Sequence, residues 1–192
     1  MSSENSIGER NPDVPHDTED KSWWLLRGEE YEKSFVALCR SQLGLDARIN
    51  PEKQHNPMAP DLVVEGLLAD LKTQKTPFFT ADRFGLDPRF AVTFNRKDYE
   101  RYRRLYPSIM IYFWVDWVQT AWKNRRIKYY GGFFRAPFAA IAKTIEAGAP
   151  EHAYRHREGD RLGNATSSFV LDVREFQALF VTEVEPKVRQ AP

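Results

Sequence analysis

Residues 60–74 read PDLVVEGLLADLKTQ and place two aspartates and a lysine where strand geometry could bring them together. If Glu65 and Gly66 form a two-residue hairpin loop, Val64 faces Leu67, Val63 faces Leu68, Leu62 faces Ala69 and Asp61 faces Asp70. Successive side chains in a strand alternate between faces. One face then carries Leu62, Val64, Leu67, Ala69 and Leu71 and belongs to a core. The other carries Asp61, Asp70, Lys72 and Gln74, with Val63 and Leu68 at the turn end. Directly opposed strand residues hold their Cβ atoms roughly 4.5–5.5 Å apart. Two carboxylates at that distance repel unless a cation lies between them, and Mg²⁺ asks for few, hard oxygen ligands with room left for water and a substrate phosphate. Lys72, next on the same face, is placed to orient or help deprotonate an attacking water and to offset charge in the transition state. Glu65 fits poorly the positive φ that a type I′ turn requires. A one-residue slip would turn one strand over, but Asp70, Lys72 and Gln74 share a face in any register.

The elements that must hold this face follow from periodicity and breakers. The spacing predicts a helix from Ser22 to about Leu43, with Tyr31, Phe35, Leu38 and Gln42 on one stripe and Gly44 as the stop. Residues 46–59 read as a loop or a short irregular strand, given Asn50-Pro51 and Asn56-Pro57. After the hairpin, 75–89 is a long connection and 90–94 a short strand. Asn95 is expected to cap a helix to about Leu105, stopped by Pro107. Residues 108–117, SIMIYFWVDW, form the most apolar segment and are expected to be a central buried strand. Beyond it the sequence predicts an extended basic and aromatic ribbon around Gly131-Gly132, a helix from Pro137 to about Ala147 and a polar loop over 148–164. A strand at 167–173 and a helix from Arg174 to about Val181 follow. That order describes an α/β fold with a mixed sheet. Residues 1–20 are polar and acidic and read as a disordered tail, leaving 21–192 as a single domain.

Pro60-Asp61, then eight residues, then Asp70-Leu71-Lys72 resembles the signature of the PD-(D/E)XK nuclease superfamily, which has the restriction-endonuclease-like fold. Two other Asp/Glu-x-Lys triplets occur, at 19–21 and 185–187, but only the middle one lies in a predicted strand behind a Pro-Asp strand and a helix. The resemblance implies a mixed sheet flanked by helices, with a core over about 28–117 and a C-terminal elaboration over 118–192. It implies that Asp61 and Asp70 bind Mg²⁺, for which Mn²⁺ can substitute, and that Lys72 serves the water nucleophile. An acid on the preceding helix completes the pattern in many members; Gly28-x-x-x-Glu32 matches the placement in some, making Glu32 the candidate and Glu30 the alternative. Gln74, two residues past the lysine, also has counterparts. The expected activity is Mg²⁺-dependent phosphodiester hydrolysis, most simply by a DNA endonuclease working as a homodimer to cut two strands. The alternative is a catalytically inactive nuclease fold that binds nucleic acid or protein.

Net charge is only +1, but it is unevenly spread. Residues 1–70 hold 7 Lys/Arg against 14 Asp/Glu, whereas residues 83–135 hold 12 against 4. Within the basic block, Trp122, Lys123, Arg125, Arg126, Lys128 and Tyr129 are candidates to grip a phosphate backbone and stack on bases. The charges of helix 96–104 read as a solvated face with local ion pairs, and Asp116 as an acid near the site. His152 and His156 have i, i+4 spacing without a metalloprotease glutamate. The single cysteine, Cys39, falls in an amphipathic pattern and reads as a buried, inert thiol. With no long apolar run and no signal-like leader, the expected location is cytoplasmic.

Overall fold

The computed structural model describes residues 21–153 and 167–184; the predicted tail over 1–20, His156, the triplet at 185–187 and most of the 148–164 loop lie outside the described residues. Helix α1 (Lys21–Leu38) runs into one π turn over Cys39–Leu43, and Gly44, at φ +63°, takes the left-handed conformation that ends it. The wider turn moves the apolar stripe off Gln42, which is exposed, and onto Cys39 and Leu43.

The chain then forms β1 (Ala47–Ile49), β2 (Leu62–Val64), β3 (Leu67–Gln74) and β4 (Ala91–Asn95), followed by α2 (Arg96–Leu105), β5 (Met110–Asp116), and the short β6 (Ala121–Trp122) and β7 (Arg125–Arg126). Next come β8 (Gly131–Pro137), α3 (Phe138–Glu146), β9 (Glu151–Ala153), β10 (Ser167–Asp172) and β11 (Gln177–Thr182). The main sheet has six strands in the order β1-β2-β3-β5-β8-β11 and is mixed: only β3 and β5 run parallel. A second sheet, β4-β10-β9, has three. The fold is therefore α/β, as expected. No described helix is long and apolar enough to cross a membrane.

The two faces of the main sheet bury different cores. On one, α1 lays Phe35 and Cys39 against Leu62, Val64, Ala69, Leu71, Tyr112 and Phe133, with the Phe35 ring 5.2 Å from that of Tyr112. Burying an aromatic of this kind contributes about 1.5–3 kcal/mol. On the other face, Ile111, Phe113 and Val115 meet Val92 and Phe94 of β4, Tyr99 and Tyr102 of α2, and Phe169 and Leu171 of β10. Since Asp70 pairs with Ile111 and Lys72 with Phe113, the polar side chains of β3 point into this second layer.

Several elements differ from expectation. Asn95 stands at the start of α2 but does not cap it; its Oδ1 accepts from Ser168 Oγ at 2.7 Å across the β4–β10 ladder. Residues 174–181 are not a helix. Asp172 Oδ1 accepts from the Arg174 backbone N–H at 2.9 Å and turns the chain within a single 3₁₀ turn. The β-prone Leu179, Phe180 and Val181 then continue as β11 on the free edge of β8. The polar loop at 148–164 contains β9, and the basic ribbon ends early, because Gly131 and Gly132 begin a buried central strand.

Close packing requires glycine there. A Cβ on Gly132 would overlap the backbone oxygen of Phe180 on the neighbouring strand, whereas a Cβ on Gly131 would meet the Tyr129 hydroxyl at 2.5 Å. Backbone cannot retreat as a side chain can, so Gly132→Ala is expected to cost about 1–3 kcal/mol in urea unfolding, and Gly131→Ala less. Equal losses would show that the β8–β11 approach is not the tight contact.

Candidate functional site

The β2–β3 hairpin closes in the register that brings its acids together. Leu62 pairs with Ala69, Val63 with Leu68 and Val64 with Leu67, so Asp61, just before β2, comes opposite Asp70. Glu65 and Gly66 adopt φ +51° and +76°, both positive as a type I′ turn requires. Glu65 tolerates this because it is tied to Asp46: its backbone N–H donates to the Asp46 carbonyl at 2.7 Å, and its Oε1 accepts from the Asp46 N–H at 2.5 Å. Leu67, expected on the core face, is 55% exposed beside the Glu65-Gly66 turn.

Asp70 is 2% exposed and Asp61 half-buried. Desolvation by burial and the adjacent Asp70 charge push Asp61 up to about 7. Burial would raise Asp70 as well, but Lys72 and hydrogen bonds from Asp61 and Tyr102 hold it below the usual carboxylate range. The pair thus shares one proton, carried by Asp61 and directed at Asp70.

Lys72 Nζ sits 2.6 Å from Asp70 Oδ2 and donates to Asp98 Oδ2 at 2.6 Å and to Tyr102 Oη at 3.3 Å. It also lies 5.5 Å from the centre of the Tyr102 ring. Desolvation alone would favour the neutral amine, but Asp70 foremost, with Tyr102 and Asp98, holds Lys72 well above its ordinary value. An ammonium held this way is placed for orientation and charge stabilisation, the roles that its three partners already fix in position.

Glu32 on α1 is buried and Glu30 exposed, so the helix acid at the site is Glu32. It meets Lys53, whose Nζ lies 2.5 Å from Glu32 Oε1 and 2.8 Å from Asp61 Oδ1. Burial raises Glu32, and its bond to Lys53 partly offsets this. Gln74 does not reach the acids. Its Nε2 donates to the Thr93 carbonyl at 2.9 Å and its Oε1 accepts from the Thr93 N–H at 3.1 Å, clasping β3 to β4 of the second sheet. Asp116 is likewise engaged elsewhere, with Lys75 at 3.0 Å and the Tyr129 hydroxyl at 3.0 Å.

Lys53, Asp98, Arg101 and Tyr102 were not among the expected site residues. Asp98 accepts from Lys72 and pairs with Arg101 at 3.0 Å, and Arg101 also donates to the Tyr102 hydroxyl at 2.5 Å. The sequence held one signal: Tyr99 and Tyr102, three apart, mark the buried face of α2, and Asp98 and Arg101 flank it. Nothing in the sequence marks Lys53.

The basic ribbon is divided. Trp122 is 39% exposed, stacked on Phe79 at 6.0 Å with Lys123 Nζ 4.5 Å from its ring centre, and Lys123, Arg126 and Lys128 are exposed. Arg125 donates to the Phe79 carbonyl at 2.7 Å and pairs with Asp82 at 2.8 Å. Tyr129, expected to stack on bases, is buried in the core because the chain turns inward to start β8. His152 packs between Phe78 and Phe84.

Among the described residues, no three His, Cys, Asp or Glu side chains gather closely enough for a metal cage. The gathered acids are a pair, with Glu32 held off by Lys53. That pair fits a hard divalent ion that keeps most of its waters. Asp70 Oδ2 is buried and, despite its ion contact with Lys72, has no hydrogen bond of good geometry. No family model, characterised protein or solved structure matches this chain.

The shared proton sets a pH dependence. Between about pH 4 and pH 7 folded Asp61 keeps a proton that the unfolded chain has released. Stability from this group is therefore full below pH 4 and falls as pH rises to 7, by at most about 1.4 kcal/mol per pH unit. Without divalent metal, the melting temperature of the wild type should decline relative to Asp61→Asn across that window. Parallel curves would exclude the carboxyl pair as the source.

Proposed function

We propose that this chain is a Mg²⁺-dependent nuclease that hydrolyses phosphodiester bonds, with DNA as its substrate. One observation carries the reading: the hairpin register sets Asp61 against Asp70, with Lys72 beside Asp70. With β4 set apart in the second sheet, the order α1, β1, β2, β3, α2 and β5 and the parallel β3–β5 pair support the resemblance to the restriction-endonuclease-like core. The preference for DNA rests on that resemblance alone.

Asp61 and Asp70 would hold Mg²⁺, with Glu32 available once Lys53 is moved. The ion, when bound, supplies positive charge for the phosphate and lowers the pKa of water. Lys72 offers an ammonium fixed by Asp98 and Tyr102, so it meets the charge developing on the phosphate without reorganising. Gln74 supports the site by holding β3 against β4. Trp122, Lys123, Arg126 and Lys128 form the exposed basic and aromatic surface suited to a nucleic-acid backbone.

The test is cleavage of supercoiled plasmid and labelled single-stranded DNA with Mg²⁺, Mn²⁺ or EDTA. Metal-dependent cutting is expected, reduced by about 100-fold or more in Asp70→Asn and Lys72→Gln, in line with loss of one preorganised charge contact. Circular dichroism would verify that both variants fold. A folded wild type that binds DNA without cutting would favour an inactive nuclease fold acting as a binding module. Cutting that survives both substitutions would overturn the assignment of this site.

A further inference from the structure

We propose that Lys53 is a built-in counter-ion that sits in the metal-free site between Glu32 and Asp61 and must swing out when a divalent cation binds, so that it regulates metal occupancy. The inference rests on the functional reading above and concerns the same site. Lys53 belongs to a short 3₁₀ turn, Pro51–Gln54, between β1 and β2. The turn is placed by Asn50, which is buried. Its Nδ2 donates to the Pro60 carbonyl at 2.9 Å, its backbone N–H donates to the Asp61 carbonyl at 2.9 Å, and its Oδ1 accepts from the Glu52 N–H. The backbone of the turn is thus fixed to the residue that carries one of the acids. The flexible part is the lysine side chain, which is partly solvent-exposed along its length.

Charge balance makes Lys53 the group to leave. With the Asp61 proton released, as metal binding would require, the site has four carboxylates, Glu32, Asp61, Asp70 and Asp98, and three cations, Lys53, Lys72 and Arg101, a formal charge of minus one. A divalent cation added to all of these would leave a net positive charge in a half-buried place, whereas exchange for Lys53 brings the formal charge to zero. Lys72 and Arg101 cannot leave as easily. Both are held by Asp98 and lie against the Tyr102 ring under α2. Lys53 contacts two acids from a turn outside α2, and its side chain is partly exposed. Its departure also removes the ion pair that engages the Glu32 carboxylate.

Two measurements on the full chain test this. Calorimetric titration with Mn²⁺ compares wild type, Lys53→Met and Asp70→Asn. Lys53→Met should bind at least about tenfold more tightly than wild type, the effect of removing one close competing charge, and Asp70→Asn should not bind. In the wild type, acylation of lysines by an amine-reactive ester, read by mass spectrometry, should increase at Lys53 when Mg²⁺ is added and stay low at Lys72. This second arm does not depend on any variant folding. Equal or weaker Mn²⁺ binding by a folded Lys53→Met, or Lys53 protected by Mg²⁺, would overturn the inference while leaving the metal site intact if Asp70→Asn still abolishes binding. Absence of Mn²⁺ binding in all three proteins would overturn both the inference and the functional reading.

Discussion

The ammonium of Lys72 is charged and enclosed between the main sheet and α2, and much of the surrounding structure exists around that fact. A lone buried ammonium would cost several kcal/mol, so its neighbours are chosen for it. Asp70 lies on the same strand, Asp98 reaches down from α2, and the Tyr102 hydroxyl and ring complete the enclosure. Removing any one of these leaves another charge uncompensated. The cluster joins β3 to α2, and the parallel β3–β5 ladder with the intervening chain fixes where α2 can lie. Fold and chemistry meet in one group of four side chains.

The same cluster explains why the two aspartates behave differently although they sit opposite each other. Asp70 is surrounded by donors and cations and stays ionised; Asp61 is desolvated beside an existing negative charge, so the proton stays with it. Two identical residues are separated by their surroundings, one favoured as the anion and one as the acid. Lys53 adds a third participant from the solvent side.

What could be read in the sequence was what depends on local rules. The period of two and the glycine of the Glu65-Gly66 turn set the hairpin register, and the continuous apolar run over 108–117 identified the central β5. Features decided by distant partners were not legible. Asp98 looks like its charged neighbours on α2 until the sheet beneath is known. Lys53 gains its meaning only from the Asn50 turn that carries it back to Asp61. Residues 177–182 became a strand because β8 offered an unpaired edge, and Tyr129 turned inward because Gly131-Gly132 could enter the sheet interior. The separation of Glu32 from Glu30 needed the face of α1 that packs on the sheet, which buries Glu32 and leaves Glu30 exposed.

The parallel pairing of β3 with β5 also has a kinetic side. Asp70 and Ile111 are neighbours in the sheet yet distant in sequence, with the second-sheet strand β4 and helix α2 between them. Closing such a loop costs entropy before any contact rewards it, and non-local strand pairings are the slow steps of folding. The β2–β3 hairpin can form from local contacts, but Lys72 gains Asp98 and Tyr102 of α2 only when that loop closes. A chain in which β3 and β5 have not yet paired therefore carries the acidic hairpin without the α2 side chains that enclose Lys72.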